Sequence, residues 1–116
     1  MKKAIQHREG TEEQAELFSA LADPTRLKLL KLLKCQHPSE ALCVNALATL
    51  LGVSQSAVSQ HLRVLRATGL VKGERRGYHV HYFINRDMLE EYRNLVLEIL
   101  STENPGNESS CRENCY

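Results

Sequence analysis

Apolar residues recur every three or four positions over most of the chain, and this spacing predicts amphipathic helices. Thr11, followed by two glutamates, predicts the start of a first helix, and Asp23-Pro24 predicts the start of a second. A third helix is predicted from about residue 44 to residue 51, and a fourth begins at the capping residue Ser54. Because only Gly52-Val53-Ser54 separates the third helix from the fourth, the pattern predicts a helix-turn-helix.

After Gly69 the apolar spacing shortens to every second residue, which predicts strands. One predicted strand alternates apolar residues with His79 and His81, and residues 70–75 form its partner across a turn at Arg76-Gly77. A last helix, capped by Asn85, carries a long apolar stripe. The predicted fold class is therefore mainly α with a β-hairpin wing, a winged helix-turn-helix in the order α-α-α-α-β-β-α.

The chain of 116 residues is long enough for one domain. We expect a flexible arm over residues 1–10, the winged helix-turn-helix domain over residues 11–103, and a flexible cysteine-containing tail over residues 104–116. No stretch approaches the roughly 18 consecutive apolar residues of a membrane span, and charge interrupts the start of the chain. The sequence therefore predicts a cytoplasmic protein with no membrane partner.

Charge is divided unevenly along the chain, although the net charge of the whole is only +1. Residues 54–81 contain five basic side chains and one acidic side chain, a net charge of +4. Residues 98–116 contain four acidic side chains and one basic side chain, a net charge of −3. A polyanion would therefore meet the helix-turn-helix and the hairpin and avoid the end of the chain.

The outward side of the fourth helix carries residue types that suit a DNA duplex. Short hydroxyls suit phosphates, glutamine can pair bidentately with adenine, and arginine can pair with guanine or hold a phosphate. His61 lies beside a core position, so either a phosphate contact or a structural hydrogen bond is expected there. The predicted DNA-binding residues are Ser54, Gln55, Ser56, Ser59, Gln60, His61 and Arg63 on this helix, and Lys72, Arg75, Arg76 and His79 on the hairpin.

Several segments together resemble the ArsR/SmtB family of winged-helix repressors, over about residues 11 to 101. They are Asp-Pro-Thr-Arg-Leu at 23–27, residues 42–47, residues 54–62, Gly-Leu-Val at 69–71 and the Arg76-Gly77 turn. The resemblance implies a homodimer, joined through its first and last helices, that binds an inverted-repeat operator in double-stranded DNA. Two-fold symmetry would place the recognition helices about 34 Å apart. The implied dimer interface contains Phe18, Leu89, Tyr92, Leu95, Val96, Ile99 and Leu100.

The resemblance also implies release from DNA by a metal or another thiol-reactive signal. Arsenic and cadmium sensors of the family carry Cys-Val-Cys at the start of the third helix, where this chain has Cys43-Val44-Asn45. Zinc sensors place Asp and His ligands on the last helix, where this chain has Asp87 but no histidine. The remaining candidates are Cys35, Cys43 and the tail pair Cys111 and Cys115.

Soft ions favour trigonal or tetrahedral thiolate sites. We therefore predict As(III), or a soft metal ion such as Cd, Pb or Zn, as the inducer, held by Cys111 and Cys115 with a third thiolate from Cys43 or Cys35. No obligatory cofactor is expected. The same cysteines could instead sense oxidation or reactive sulfur. An enzyme is not expected, because Cys-Arg-Glu-Asn-Cys lacks the spacing of oxidoreductase motifs; a DNA-binding dimer without a sensor, with an architectural role, is a further alternative.

Overall fold

A computed structural model describes residues 10–36 and 41–102. The elements in chain order are α1 (Gly10–Leu21), α2 (Pro24–Lys34), β1 (Leu42–Cys43), α3 (Val44–Leu51), α4 (Gln55–Ala67), β2 (Val71–Arg76), β3 (His79–Ile84) and α5 (Arg86–Ile99). The predicted winged helix-turn-helix is confirmed, with one short strand added before α3. The predicted arm and tail lie outside the described residues, except that Gly10 already belongs to α1.

Side-chain caps set the starts of three helices. The Asp23 carboxylate accepts a hydrogen bond from the Arg26 N–H (3.0 Å), and Ser54 Oγ accepts one from the Ala57 N–H (3.0 Å). Asn85 Oδ1 accepts one from the Met88 N–H (3.3 Å). Each cap satisfies a backbone donor that has no partner inside its own helix. The three helix starts predicted from these residues are confirmed.

The core lies between the helices and the face of the sheet that carries Tyr82 and Ile84. Val58, Leu62 and Leu65, the apolar face predicted for α4, are buried. On α2 the core residues are Leu29 and Leu33. The other side chains buried most completely are Leu17, Leu47 and Leu70. This packing leaves the opposite side of α4 facing solvent, because a helix can turn only one face toward a core.

The sheet has three strands in the order β1-β3-β2, rather than the two of the predicted hairpin. β1 pairs antiparallel with β3 through Leu42 with Tyr82 and Cys43 with His81. β2 pairs with β3 from Val71 opposite Ile84 to Arg76 opposite His79, so the turn is Gly77-Tyr78, one residue later than predicted. Gly77 has a φ of 68°, which favours glycine.

No helix in the described part of the chain combines the length and the apolar character that a membrane span requires.

Candidate nucleic-acid interface

The turn between α3 and α4 exposes the start of α4. Gly52 ends α3 in the left-handed region, with a φ of 68°, and its N–H donates to the Ala48 carbonyl (2.9 Å). This conformation strains any residue with a Cβ, so the glycine allows the chain to reverse within three residues. The structure places these predicted DNA-binding residues of α4 and its cap on the exposed surface: Ser54, Gln55, Ser56, Ser59, Gln60 and Arg63.

The two helices of the motif are joined by a side-chain hydrogen bond that the sequence analysis did not predict. Gln55 Nε2 donates to Asn45 Oδ1 (3.0 Å), and Asn45 lies in the first turn of α3. This bond orients the Gln55 amide while leaving its Oε1 and one N–H for another partner. Ser54 caps the helix, because its hydroxyl oxygen accepts the Ala57 N–H. The start of α4 is therefore held in one arrangement by hydrogen bonds within its own chain.

A cationic groove runs between α4 and the sheet. It has a volume of about 480 Å³ and is lined by Ser59, Leu62, Arg63, Arg66, Ala67 and Tyr82. The Arg66 guanidinium lies 5.9 Å from the centroid of the Tyr82 ring, a distance at which a cation and an aromatic face attract each other. Across residues 10–36 and 41–102, neither Arg63 nor Arg66 forms an ion pair. The groove therefore offers two uncompensated guanidinium groups to an anion.

Arg66 is absent from the residues predicted to bind DNA. The sequence feature that could have identified Arg66 is its position three residues after Arg63, which places both side chains on the same face of a helix.

The predicted hairpin residues lie on two opposite faces. Lys72 is opposite Phe83 and Arg76 is opposite His79, on the face that also carries His81. Arg75 is opposite Val80, on the face that carries Tyr82 and borders the groove. The structure therefore brings Arg75, rather than Lys72, Arg76 or His79, to the α4 side of the hairpin.

The basic side chains of the hairpin also differ in their local interaction partners. Both Nε and Nη2 of Arg76 donate to Glu74 Oε1, at 3.2 and 3.0 Å. The Lys72 ammonium lies 5.3 Å from the centroid of the Phe83 ring. Tyr78 at the tip of the hairpin is 97% exposed. Arg76 and Lys72 are thus held against their own hairpin, whereas the tip extends into solvent.

His61 differs from the other predicted DNA-binding residues of α4, because it faces the protein. Its Nδ1 lies 3.2 Å from Arg26 Nη1 and 3.8 Å from Asp23 Oδ2, and its side chain is half-buried. Of the two expectations for His61, the structure shows the structural hydrogen bond. The backbone N–H of Arg26 is the main cause that lowers the pKa of Asp23, with a smaller contribution from the charge of the Arg26 guanidinium.

An apolar surface extends over α1 and α5. Phe18 is 40% exposed, Leu97 is 54% exposed and Leu100 is 67% exposed, and Ile99 is also exposed. A cavity of about 260 Å³ opens on this surface between Leu21, Leu30, Leu89 and Val96. Leu89, Leu95 and Val96, three further residues predicted for the interface, are half-buried. Of the residues that line this cavity, Arg93 alone is charged, and an exposed apolar area of this kind is typical of a region covered by another molecule.

Tyr92 differs from the other residues of the predicted interface. It is only 8% exposed, and its hydroxyl donates to the Thr68 carbonyl at the end of α4 (2.7 Å). The side chain therefore packs in the core of its own chain and anchors α5 there. Leu97, one of the exposed residues of α5, was absent from the predicted set.

The two described cysteines lie on different elements. Cys35 is exposed at the end of α2, and Cys43 is half-buried at the start of α3, opposite His81 in the sheet. Within residues 10–36 and 41–102, no three His, Cys, Asp or Glu side chains are grouped so that they could hold a metal ion. Cys111 and Cys115 lie outside the described residues.

Comparison with known protein families identifies the region that carries the motif. The family described as "Bacterial regulatory protein, arsR family" matches residues 23–72. A transcriptional repressor, the SmtB homolog of Synechocystis, is 45% identical over 86 residues, which is 73% of this chain and 62% of the relative. The arsenical resistance operon repressor of Escherichia coli is 43% identical over 67 residues, 59% of this chain and 55% of the relative. The match thus spans less than two thirds of either relative.

Solved structures share the fold. An ArsR-like transcriptional regulator from Rhodococcus has a TM-score of 0.64 and 32% identity, over 78% of this chain and 80% of the other. A homodimeric winged helix-turn-helix DNA-binding domain from Mycobacterium bovis has a TM-score of 0.62 and 26% identity, over 89% of this chain and 92% of the other.

Proposed function

Because this chain belongs to the ArsR family of bacterial regulatory proteins, we propose that it is a transcriptional repressor that binds an inverted-repeat operator as a homodimer. The observation that carries the proposal is the outward face of α4, where exposed serine, glutamine and arginine side chains follow the tight turn at Gly52. A helix placed in this way can enter the major groove with its N-terminal residues at the base edges. Family membership also argues against an enzyme, since the relatives named above are regulators.

The proposed contacts divide between bases and phosphates. Gln55 and Gln60 are the residues assigned to base edges, because an amide can donate and accept in the same plane as adenine. Arg63 and Arg66 are assigned to phosphates, because their guanidinium groups line one cationic groove and form no ion pair in the described part of the chain. Arg75 lies on the same face of the hairpin as Tyr82, which lines this groove.

The proposed dimer forms through the apolar surface of α1 and α5. Phe18 from α1 and Leu97 and Leu100 near the end of α5 supply its exposed part. An isologous two-fold interface would use this surface twice and bury it on both protomers. The homodimeric Mycobacterium bovis domain has the same fold over most of this chain, which supports this arrangement.

The proposed inducer is As(III) or a soft metal ion bound by thiolates. The described residues alone do not form a three-ligand site, so Cys111 and Cys115 are needed together with Cys43 or Cys35. The similarity to a repressor of arsenical resistance supports a thiophilic inducer. Sensing of oxidation by the same thiols is the alternative, and the exposed Cys35 thiol is a feature that favours it.

A DNA-release experiment tests both parts of the proposal. An operator is first isolated by selecting duplexes from a random pool with the reduced protein, and an inverted repeat is the expected product. Arsenite, Cd²⁺ or Pb²⁺ is then expected to weaken operator binding at least about tenfold for the wild type but not for the double variant Cys111→Ser, Cys115→Ser. Separate Cys35→Ser and Cys43→Ser variants identify the third thiolate.

Each other outcome rejects a part of the proposal. Release by peroxide or polysulfide alone would replace the metal inducer by redox sensing. Unchanged binding under all these conditions would indicate a dimer without a sensor. Failure to enrich any inverted repeat would contradict sequence-specific repression itself.

A further inference from the structure

The side chain of Arg26 joins three helices. Arg26 lies in the first turn of α2. Its Nε donates to the Ala20 carbonyl (2.6 Å) and its Nη2 to the Ser19 carbonyl (3.4 Å), both in the last turn of α1. Its Nη1 lies 3.2 Å from Nδ1 of His61, in the middle of α4. One guanidinium group therefore connects α1, α2 and α4.

The end of α1 requires a donor of this kind. The last four carbonyls of a helix have no partner inside it, and the negative end of the helix dipole favours a positive charge nearby. α1 has no basic residue in its last turn. Arg26 supplies both the donors and the charge from the next helix, so these contacts cap α1.

The contact between Arg26 and His61 determines the tautomer of the His61 ring. Guanidinium has only donors, so Nδ1 of His61 is the acceptor and the ring proton lies on Nε2. Asp23 completes the network, because its carboxylate accepts the Arg26 N–H and lies 3.8 Å from the same Nδ1. His61 is thereby tied to the corner between α1 and α2.

This network differs in kind from the rest of the packing between these helices. Apolar contacts are not directional, so they tolerate small rotations of one helix against another. Hydrogen bonds weaken steeply when their angles change. Within the described residues, the side-chain hydrogen bonds of Arg26 connect α1 with α4.

We infer that Arg26 is a positioning residue, which sets the orientation of α4 relative to α1 and so the spacing of the two recognition helices in the dimer. The inference rests on the proposed function, because α1 contributes to the proposed dimer surface and α4 to the proposed DNA contact. Arg26 touches no base in this scheme. It acts through His61 and the end of α1.

The test compares operators that differ only in spacing. Arg26→Lys keeps the charge but loses the planar fork. The matched control is Arg86→Lys, since Arg86 Nη2 also donates to a helix-end carbonyl, that of Lys34 (3.1 Å), and the structure describes no contact between Arg86 and α4. Affinity is measured for the selected operator, for the same half-sites moved apart or together by one base pair, and for a single half-site.

We expect Arg26→Lys to weaken binding to the selected operator on the order of tenfold and to reduce the preference for its spacing. Affinity for the single half-site is expected to stay within about twofold of the wild type. Arg86→Lys is expected to retain the spacing preference. A structural loss alone would weaken all duplexes alike and would leave the order of spacings unchanged.

A second pair of variants tests the inference from the side of α4. His61→Ala removes the acceptor of the Arg26 hydrogen bond and is expected to relax the spacing preference. His61→Asn places an amide oxygen near the position of Nδ1 and is expected to retain more of the spacing preference than His61→Ala. Unchanged spacing preference in both Arg26→Lys and His61→Ala would overturn the inference and leave the proposed function intact. A wild-type protein with no preference for inverted repeats would overturn the proposed function, and the inference with it.

Discussion

The exposed residues of α4 differ in the part of a DNA duplex that each is expected to contact. Gln60 is exposed and has no partner among the hydrogen bonds that the described residues make, so its amide is available to a base edge. The Arg66 guanidinium lies 5.9 Å from the centroid of the Tyr82 ring, and we assign it to a phosphate. This difference predicts different responses to substitution.

Gln60→Ala is expected to change which bases are preferred, at a cost of about 1 to 3 kcal/mol on the selected operator. Arg66→Ala is expected to weaken specific and random DNA equally and to lower the slope of log K against log salt by about 0.9. Fluorescence anisotropy over a salt series measures both effects. Equal losses on both kinds of DNA for Gln60→Ala would contradict its assignment to bases.

Arg75 and Arg76 form a matched pair of neighbouring cations on opposite faces of the hairpin. Arg75→Ala is expected to lower the salt slope by about 0.9, whereas Arg76→Ala is expected to change it less because Glu74 already pairs with Arg76. The same salt series distinguishes them. A larger loss for Arg76→Ala would place the opposite face of the hairpin against DNA.

The lowered pKa of Asp23 predicts that the stability of the folded chain depends on pH. The hydrogen bond from the Arg26 N–H lowers its pKa in the folded chain, while in the unfolded chain the carboxyl has its ordinary pKa of about 3.9. Its stabilisation is therefore complete above that ordinary pKa and is lost as the pH falls through the lower native value. Asp23→Asn keeps an acceptor for the cap but removes the charge.

Urea denaturation at a series of pH values is the measurement. The free energy of unfolding is expected to fall more steeply below about pH 4 for the wild type than for Asp23→Asn. Parallel curves for the two proteins would show that the charge of Asp23 contributes nothing in this range.

At the level of elements, the sequence predicted the helix boundaries that are determined by side chains a few residues away. The caps at Asp23, Ser54 and Asn85 and the glycine at the end of α3 set helix boundaries through atoms a few residues apart. β1 was missed because two residues cannot show alternation, and its pairing with β3 joins residues about 40 positions apart. The contact of Arg26 with His61 was missed for the same reason, since 35 positions separate them.

α5 shows why an apolar stripe alone does not define an interface. Periodicity indicates which residues share a face, but it does not tell a face buried in the same chain from one covered by a partner. Tyr92 is in its own core because its hydroxyl reaches the Thr68 carbonyl, whereas Leu97 and Leu100 remain exposed. The two sets of residues therefore have separate roles.

Substitutions on the two sides of α5 are expected to separate stability from association. Tyr92→Phe removes one hydrogen bond and is expected to lower the free energy of unfolding by about 1 kcal/mol, with no change in dimerisation. Leu97→Glu places a charge in the proposed interface and is expected to raise the dimer dissociation constant at least about tenfold. Thermal denaturation and sedimentation equilibrium measure the two quantities. Dissociation of the dimer by Tyr92→Phe would return Tyr92 to the interface.

At the level of the whole molecule, the proposed function depends on two copies acting together. One protomer presents one α4, with the cationic groove on one side and the apolar surface of α1 and α5 elsewhere. A single recognition helix reads only a few base pairs, so an inverted repeat is the site that a two-fold dimer can read with both helices. The link through Arg26 would then carry the geometry of the dimer to the DNA-reading surface.

Sedimentation of the protein with an inverted-repeat duplex tests this arrangement most directly. Two chains are expected to bind each duplex, and scrambling one half-site is expected to lower affinity by at least about a hundredfold at fixed salt. One chain bound per duplex, with equal affinity for intact and scrambled half-sites, would contradict the account.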